Sequence, residues 1–195
     1  MLQERLKGYR LILASGSPRR QQLFKELGLD FEIRLKPIPE EYPDTLKGAQ
    51  IPEFLARLKA DELKDTLKEK EILITSDTVV WHHGESLAKP VGREQAITML
   101  KTLSGDWHEV ITAVCFTQKR VQRSVSETTL VKFRKLELRE IEFYVDYGHP
   151  FDKAGGYGIQ EWIGLTGISE IRGSYANVVG LPTHLVYKTL MDMVG

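Results

Sequence analysis

The chain has 195 residues, enough for one good-sized domain or two small lobes, and its 42% hydrophobic and 28% charged residues are the balance of a soluble globular protein. Lys+Arg and Asp+Glu stand at 27 each, so no global field favours nucleic acid or an anionic membrane, and any phosphate recognition must be local. No apolar run is long enough for a bilayer, Met1 to Lys7 lacks the apolar core of a signal peptide, and the single Cys115, in an apolar run, has no partner for an internal disulfide; together these predict a cytoplasmic protein.

The first predicted elements are a buried strand over 10–15 and a helix over 18–28 closed by Gly28. The turn between them, Ser15-Gly16-Ser17-Pro18, leads into Arg19 and Arg20. A strand ending in a tight turn at a helix N-terminus presents free N–H groups and the positive end of the helix dipole to one point, a natural anion site. Ser17 suits the cap and Pro18 the first helical position. The two arginines add fork-shaped donors that match phosphate oxygens. An ordinary strand–turn–helix with two solvated arginines has the same local form.

A short strand follows at Phe31 to Leu35. Three prolines between 36 and 43 then forbid regular structure, leaving a stiff loop that carries Glu40 and Glu41. Ile51-Pro52 opens a helix with Phe54, Leu55, Leu58 and Leu63 on its apolar face, and Lys59 lies at the edge of that face, where a lysine usually snorkels to solvent. The charge-dense run 61–71 reads as a solvated connection. In the stretch Ile72 to Trp81 the apolar run on the first side reads as a buried strand, which Asp77 interrupts before Val79-Val80 resume; a carboxylate at the end of a buried strand needs a partner charge, hydrogen bonds or a metal, and capping a turn would also satisfy it.

His82-His83-Gly84-Glu85 reads as a hairpin turn, and adjacent histidines on a strand point to opposite sides, which makes a poor metal pair. Lys89 is kept extended by Pro90. A helix over 92–103 with Ala96, Met99, Leu100 and Leu103 inward precedes a central strand at 108–117 and a more polar, edge-like strand at 121–133. The helix at 138–147 buries Ile141, Tyr144 and Val145. The Gly-rich loop from His149 to Gln160 allows close backbone approach to something flat or charged. A strand at Ile168 to Ile171 and a last helix after Gly180-Leu181-Pro182 complete one α/β unit, residues 1–195, whose mixed sheet has long antiparallel strands in the middle and helices around them.

Ala14-Ser15-Gly16-Ser17-Pro18-Arg19-Arg20 resembles the opening motif of the Maf family of nucleotide pyrophosphatases. Further pieces appear in the family's order: the Glu40 loop, Leu55 to Ala60, Ser76-Asp77-Thr78-Val79-Val80, Lys89-Pro90, Leu103-Ser104-Gly105 with His108, Asp152-Lys153-Ala154-Gly155, Tyr157-Gly158-Ile159-Gln160, and Gly173 to Pro182. The resemblance implies an elongated α/β fold shared with inosine-triphosphate pyrophosphatases. It implies hydrolysis of the α–β phosphoanhydride of nucleoside triphosphates with Mg²⁺ or Mn²⁺, and a homodimer. Asp77 would be the general base, with Glu40 sharing metal or water positioning; both are candidate metal ligands. Ser15, Arg19, Arg20, Lys59 and Lys89 would neutralise the triphosphate, and Thr78 and Gln160 would read the base or sugar. Arg19, Thr78 and Gln160 match the three positions that separate substrate classes in the family, and here they resemble the dTTP/UTP branch; a sister branch takes 7-methyl-GTP. Glu161 stands where the family usually has glycine. A regulatory nucleotide-binding module linked to septum formation would carry the same charged motifs.

Overall fold

The computed structural model describes residues 1–194. Among them the strands are β1 (Arg10–Leu13), β2 (Phe31–Ile33), β3 (Glu71–His82), β4 (Glu85–Leu87), β5 (Trp107–Thr117), β6 (Gln122–Phe133) and β7 (Ile168–Arg172). They form one sheet in the order β2-β1-β3-β5-β6-β7, with β4 also paired to β3. The β2–β1–β3 pairs are parallel and the remaining pairs antiparallel, so the sheet is mixed and largely antiparallel, as expected. The helices are α1 (Leu2–Arg5), α2 (Pro18–Glu26), α3 (Gln50–Asp61), α4 (Arg93–Leu103), α5 (Leu138–Gly148), α6 (Trp162–Gly167), α7 (Tyr175–Val179) and α8 (Thr183–Met193). None of the described helices is long and apolar enough to cross a membrane.

The twelve-residue β3 organises the sheet. Its β-branched residues Ile72, Ile74, Thr75, Thr78, Val79 and Val80 suit a pleated, buried surface. Ile72, Leu73 and Ile74 are fully buried, each contributing ~1.5–3 kcal/mol relative to exposure. The strand does not end near Asp77 as the sequence suggested. It runs through it to His82, because the carboxylate has a cationic partner (below) and the ladder to β5 continues unbroken from Leu73 to Trp81.

One edge of β3 is shared. β1 pairs with it from Glu71 to Ile74, and β4 pairs with it from Val80 to His82. Between these two neighbours, Thr75 to Val79 has no strand on that edge. Alternation sends Thr75 and Asp77 toward α3, where the Thr75 hydroxyl donates to the Ala56 carbonyl at 2.6 Å, and sends Thr78 to the opposite face, where it meets Arg20. Only a cleft that opens along the edge itself can be lined from both faces.

Several sequence expectations are adjusted. α3 turns Ile51, Leu55, Ala56 and Ala60 inward, while Phe54 is exposed: the small Ala56 and Ala60 let the helix sit close on the sheet. Leu63, Leu67 and Glu71 in the charge-dense run are buried, so that segment is not a purely solvated connection. β6 is an edge only in its first part, since β7 covers it from Leu130 to Phe133. Gly155, whose φ is +69°, packs closely on the protein itself: a Cβ there would stand 3.0 Å from the Val80 side chain, whereas Gly158 lines the cleft described below. His83 lies in the β3–β4 turn with φ 49°, followed by Gly84 at 85°, so it leaves the strand's alternation and its ring turns back beside that of His82. The short helices α1, α6 and α7 escaped the sequence reading, being too brief to show a 3.6-residue period. Cys115 is buried and free.

Candidate active site

The gap in the β3 edge opens into a cleft of about 820 Å³. Ser15, Arg19, Arg20, Glu40, Lys59, Asp77, Thr78, Lys89 and Gln160, far apart in sequence, all line it.

The turn after β1 forms its first wall. The Ser17 hydroxyl caps α2 by accepting from the Arg20 N–H, and Pro18 occupies the first helical position. The Ser15 hydroxyl accepts from Ser17 N–H at 3.3 Å, which tightens the turn. Arg20 is braced by the protein on three sides. It donates to the Gly180 carbonyl at 2.8 Å, to the Ser76 carbonyl at 3.0 Å and to the Thr78 hydroxyl at 2.8 Å. These bonds cap a carbonyl in the uncovered stretch of β3 and leave two of the five guanidinium N–H groups for a ligand. Burial lowers the Arg20 pKa, with Asp77 pulling the other way. The Thr78 hydroxyl also meets that of Thr112 at 2.9 Å, so it orients Arg20 as well as facing the cleft. Arg19 reaches across to Asp152 at 3.2 Å.

The second wall carries the carboxylates. Lys59 does not snorkel: α3 turns its ammonium inward, 2.6 Å from Asp77 Oδ1 and 2.6 Å from Glu40 Oε1. Its side chain is 17% exposed and that of Asp77 10%, so the pair is largely out of water. Burial pushes the Asp77 carboxyl above its usual value, against the pull of Lys59 and Arg20. Burial also acts to raise Glu40, but the Lys59 hydrogen bond and charge, with Lys89 beyond, outweigh it and hold that carboxyl low. Lys89, exposed, stands 3.4 Å from Glu40 Oε2.

The third wall comes from the loop on which the sequence picks out Gln160 and marks Glu161, but gives Lys153 no role. Lys153 is buried between Asp152 Oδ1 at 2.6 Å and Glu161 Oε1 at 2.9 Å. The other Glu161 oxygen accepts from the Tyr144 hydroxyl, which in turn accepts from the Gly158 N–H at 3.0 Å. Glu161 therefore turns inward and locks the loop on which Gln160 stands. Gln160 itself is exposed, and its amide makes no hydrogen bond within the described residues. The inward turn of Glu161 was invisible in sequence, although the Asp152-Lys153 pair stood in a quoted motif.

Cations and helix-terminal amides on one side, and the buried Asp77 with the exposed Glu40 on the other, give the cleft the charges to hold a phosphorylated anion beside carboxylates. The chain belongs to the Maf-like protein family, whose model matches residues 10–193. It is 53% identical over 195 residues to a dTTP/UTP pyrophosphatase of Christiangramia forsetii, covering all of both chains. It is 52% identical over 194 residues to a dTTP/UTP pyrophosphatase of Flavobacterium johnsoniae, again covering all of both. A solved dITP/XTP pyrophosphatase of Mycobacterium abscessus matches 65% of this chain and 75% of that one, at 14% identity and a TM-score of 0.38, a likeness too slight to argue from.

Proposed function

We propose that the cleft hydrolyses the α–β phosphoanhydride of dTTP or UTP, giving the nucleoside monophosphate and pyrophosphate in a house-cleaning role. The observation that carries this is Asp77: a carboxylate of raised pKa, set in the uncovered stretch of β3, facing an anion-binding turn. Asp77 takes a proton from water as the water oxygen bonds to the α-phosphorus, and the α–β bridging oxygen leaves with pyrophosphate. Its raised pKa makes the Asp77 carboxylate a stronger base than an exposed aspartate. The turn amides, Ser15, Arg19 and the free edge of Arg20 bind phosphate oxygens, and Lys59 and Lys89 balance the charge of the leaving group.

Asp77 and Glu40 offer hard carboxylate oxygens around one point where the Lys59 ammonium now sits, a donor set that fits Mg²⁺ or Mn²⁺. Mg²⁺ sites of this kind use one or two carboxylates and complete their shell with water and substrate phosphate. When bound there, the metal would neutralise phosphate charge. The unengaged Gln160 amide, donor and acceptor together, reads a pyrimidine edge, and Thr78 holds Arg20 in register. A homodimer and a cytoplasmic location belong to the same reading. Exposed Phe143 and Tyr147, stacked on α5 with Trp162 against Phe143, supply an apolar face for the dimer, which sedimentation velocity tests.

The test is pyrophosphate release from a panel of nucleoside triphosphates with Mg²⁺ or Mn²⁺, wild type beside Asp77→Asn. Release from dTTP and UTP, lost in the variant, is expected. Release from 7-methyl-GTP alone would overturn the substrate assignment. Nucleotide binding without any release would replace the enzyme by a binding module.

A further inference from the structure

A second group of metal-ligating side chains lies away from the cleft, at the far end of β3. The sequence argued against it, because adjacent histidines on a strand diverge. The turn removes that objection. His82, buried, is the last residue of β3; His83, exposed, occupies the turn with φ 49°; and their rings stand 4.0 Å apart, centre to centre. Both Nε2 atoms face one oxygen, Asp106 Oδ2, at 3.2 Å from His82 and 2.8 Å from His83. The three donor atoms lie within 4.8 Å of one another. In a tetrahedral zinc site with ligand bonds of about 2.0–2.1 Å, ligand atoms are separated by about 3.3 Å, so the group needs only a small adjustment.

Two further features match a metal centre. The other Asp106 oxygen accepts from the Trp107 N–H at 2.7 Å, which fixes the carboxylate and points Oδ2 at the histidines, as outer-shell bonds do around metals. Among the described residues, Asp106 has no lysine or arginine partner, so its ionisable neighbours within salt-bridge distance are the two imidazoles.

We propose that His82, His83 and Asp106 bind a borderline transition-metal ion of the Zn²⁺ class, with water at the fourth, solvent-facing position. Two imidazoles and one carboxylate favour Zn²⁺, Co²⁺ or Ni²⁺ over Mg²⁺, which prefers oxygen. The ion clips the β3–β4 turn to the start of β5. Since β4 runs directly into Ala88 and Lys89, the clip steadies the segment that brings Lys89 to the cleft.

The experiment titrates chelator-stripped full-length protein with Zn²⁺ by calorimetry and, separately, with Co²⁺ by visible absorption. Wild type, His83→Asn and Asp77→Asn are compared. Asparagine tolerates positive φ, and Asn-Gly is the favoured pair for this turn, so His83→Asn removes a ligand and leaves the backbone intact. Expected are one equivalent of Zn²⁺ and a tetrahedral Co²⁺ spectrum in wild type and Asp77→Asn. Affinity falls at least tenfold in His83→Asn, whose Mg²⁺-supported turnover stays unchanged. A zinc-dependent rise in wild-type melting temperature should vanish in the same variant. Zinc binding that survives His83→Asn, or that is lost only in Asp77→Asn, would overturn the proposal by placing the ion elsewhere. No binding at all would overturn it too, leaving an ordinary hydrogen-bonded Asp–His group.

Discussion

Two lysines flank the cleft, and each lies between two carboxylates. Lys59 joins Asp77 and Glu40; Lys153 joins Asp152 and Glu161. The chemistry of the pairs is alike, and the difference lies in what holds the acids. Asp77 projects from a strand whose edge is uncovered, and besides Lys59 its carboxylate has no hydrogen-bond partner among the described side chains. Glu161 is additionally hydrogen-bonded to Tyr144, which also takes up the Gly158 N–H. The first group can exchange its cation for a ligand. The second is saturated and serves to fix a loop. Removing a partner from the first should therefore change the rate, and from the second the fit of the substrate.

Asp77→Asn gives the largest expected effect, a fall in kcat of about 10²–10⁴-fold, the usual share of a positioned base. Nucleotide binding by calorimetry should persist. Lys59→Met comes next. It leaves two carboxylates facing each other without their cation, and losing one partner of a largely buried pair should cost ~2–3 kcal/mol in urea unfolding, below the full penalty because the ammonium is partly solvated. Gln160→Ala, on the Lys153 side, should reduce discrimination between UTP and CTP by about tenfold in kcat/KM, the loss of a hydrogen-bonding amide. Glu161→Gln keeps a partner for Tyr144 while dropping the charge on Lys153, and should raise KM by about threefold with kcat nearly unchanged. A fall in kcat as deep as that of Asp77→Asn would erase the contrast between the two groups.

The pH profile sharpens the contrast with a smaller displacement. Burial raises the Asp77 pKa, so the base is protonated and idle at low pH, and the acid limb of kcat/KM should lie above the ordinary aspartate value of 3.8. Lys59 acts to lower that pKa, so in Lys59→Met the limb should move further up in pH. An acid limb that ignores Lys59 would detach it from Asp77.

The sheet was legible because its strands carry strong signals, such as the apolar run 72–74 and the long stretch from Val110 to Phe116. The anion turn was legible because capping chemistry is local: Ser17 and Pro18 announce a helix start by themselves. What failed was orientation set from a distance. Nothing near Lys59 says that Ala56 and Ala60 bring α3 close enough to turn its ammonium inward. Nothing near Glu161 reveals Tyr144, seventeen residues earlier, as its partner. For Asp77 the need for compensation was readable and the compensating residue was not. The convergence of His82 and His83 was hidden for a smaller reason: a two-residue turn with positive φ at both His83 and Gly84 breaks the alternation on which the prediction rested.

Arg20 ties the anion turn to residues 56, 58 and 160 positions away along the chain. The hairpin of β5 and β6 needs only a three-residue-gap contact to begin zipping, from Gln118 to Val121. Loops of very different length must therefore close before the wall around Arg20 is complete, and the longest closes only when Gly180 has been made. During synthesis from the N-terminus, the sheet's centre can assemble while the arginine still lacks its last carbonyl. The cleft thus doubles as a completeness check on the polypeptide: a chain cut short before that glycine carries every acidic and basic group of the site, yet lacks one of the three bonds that aim Arg20.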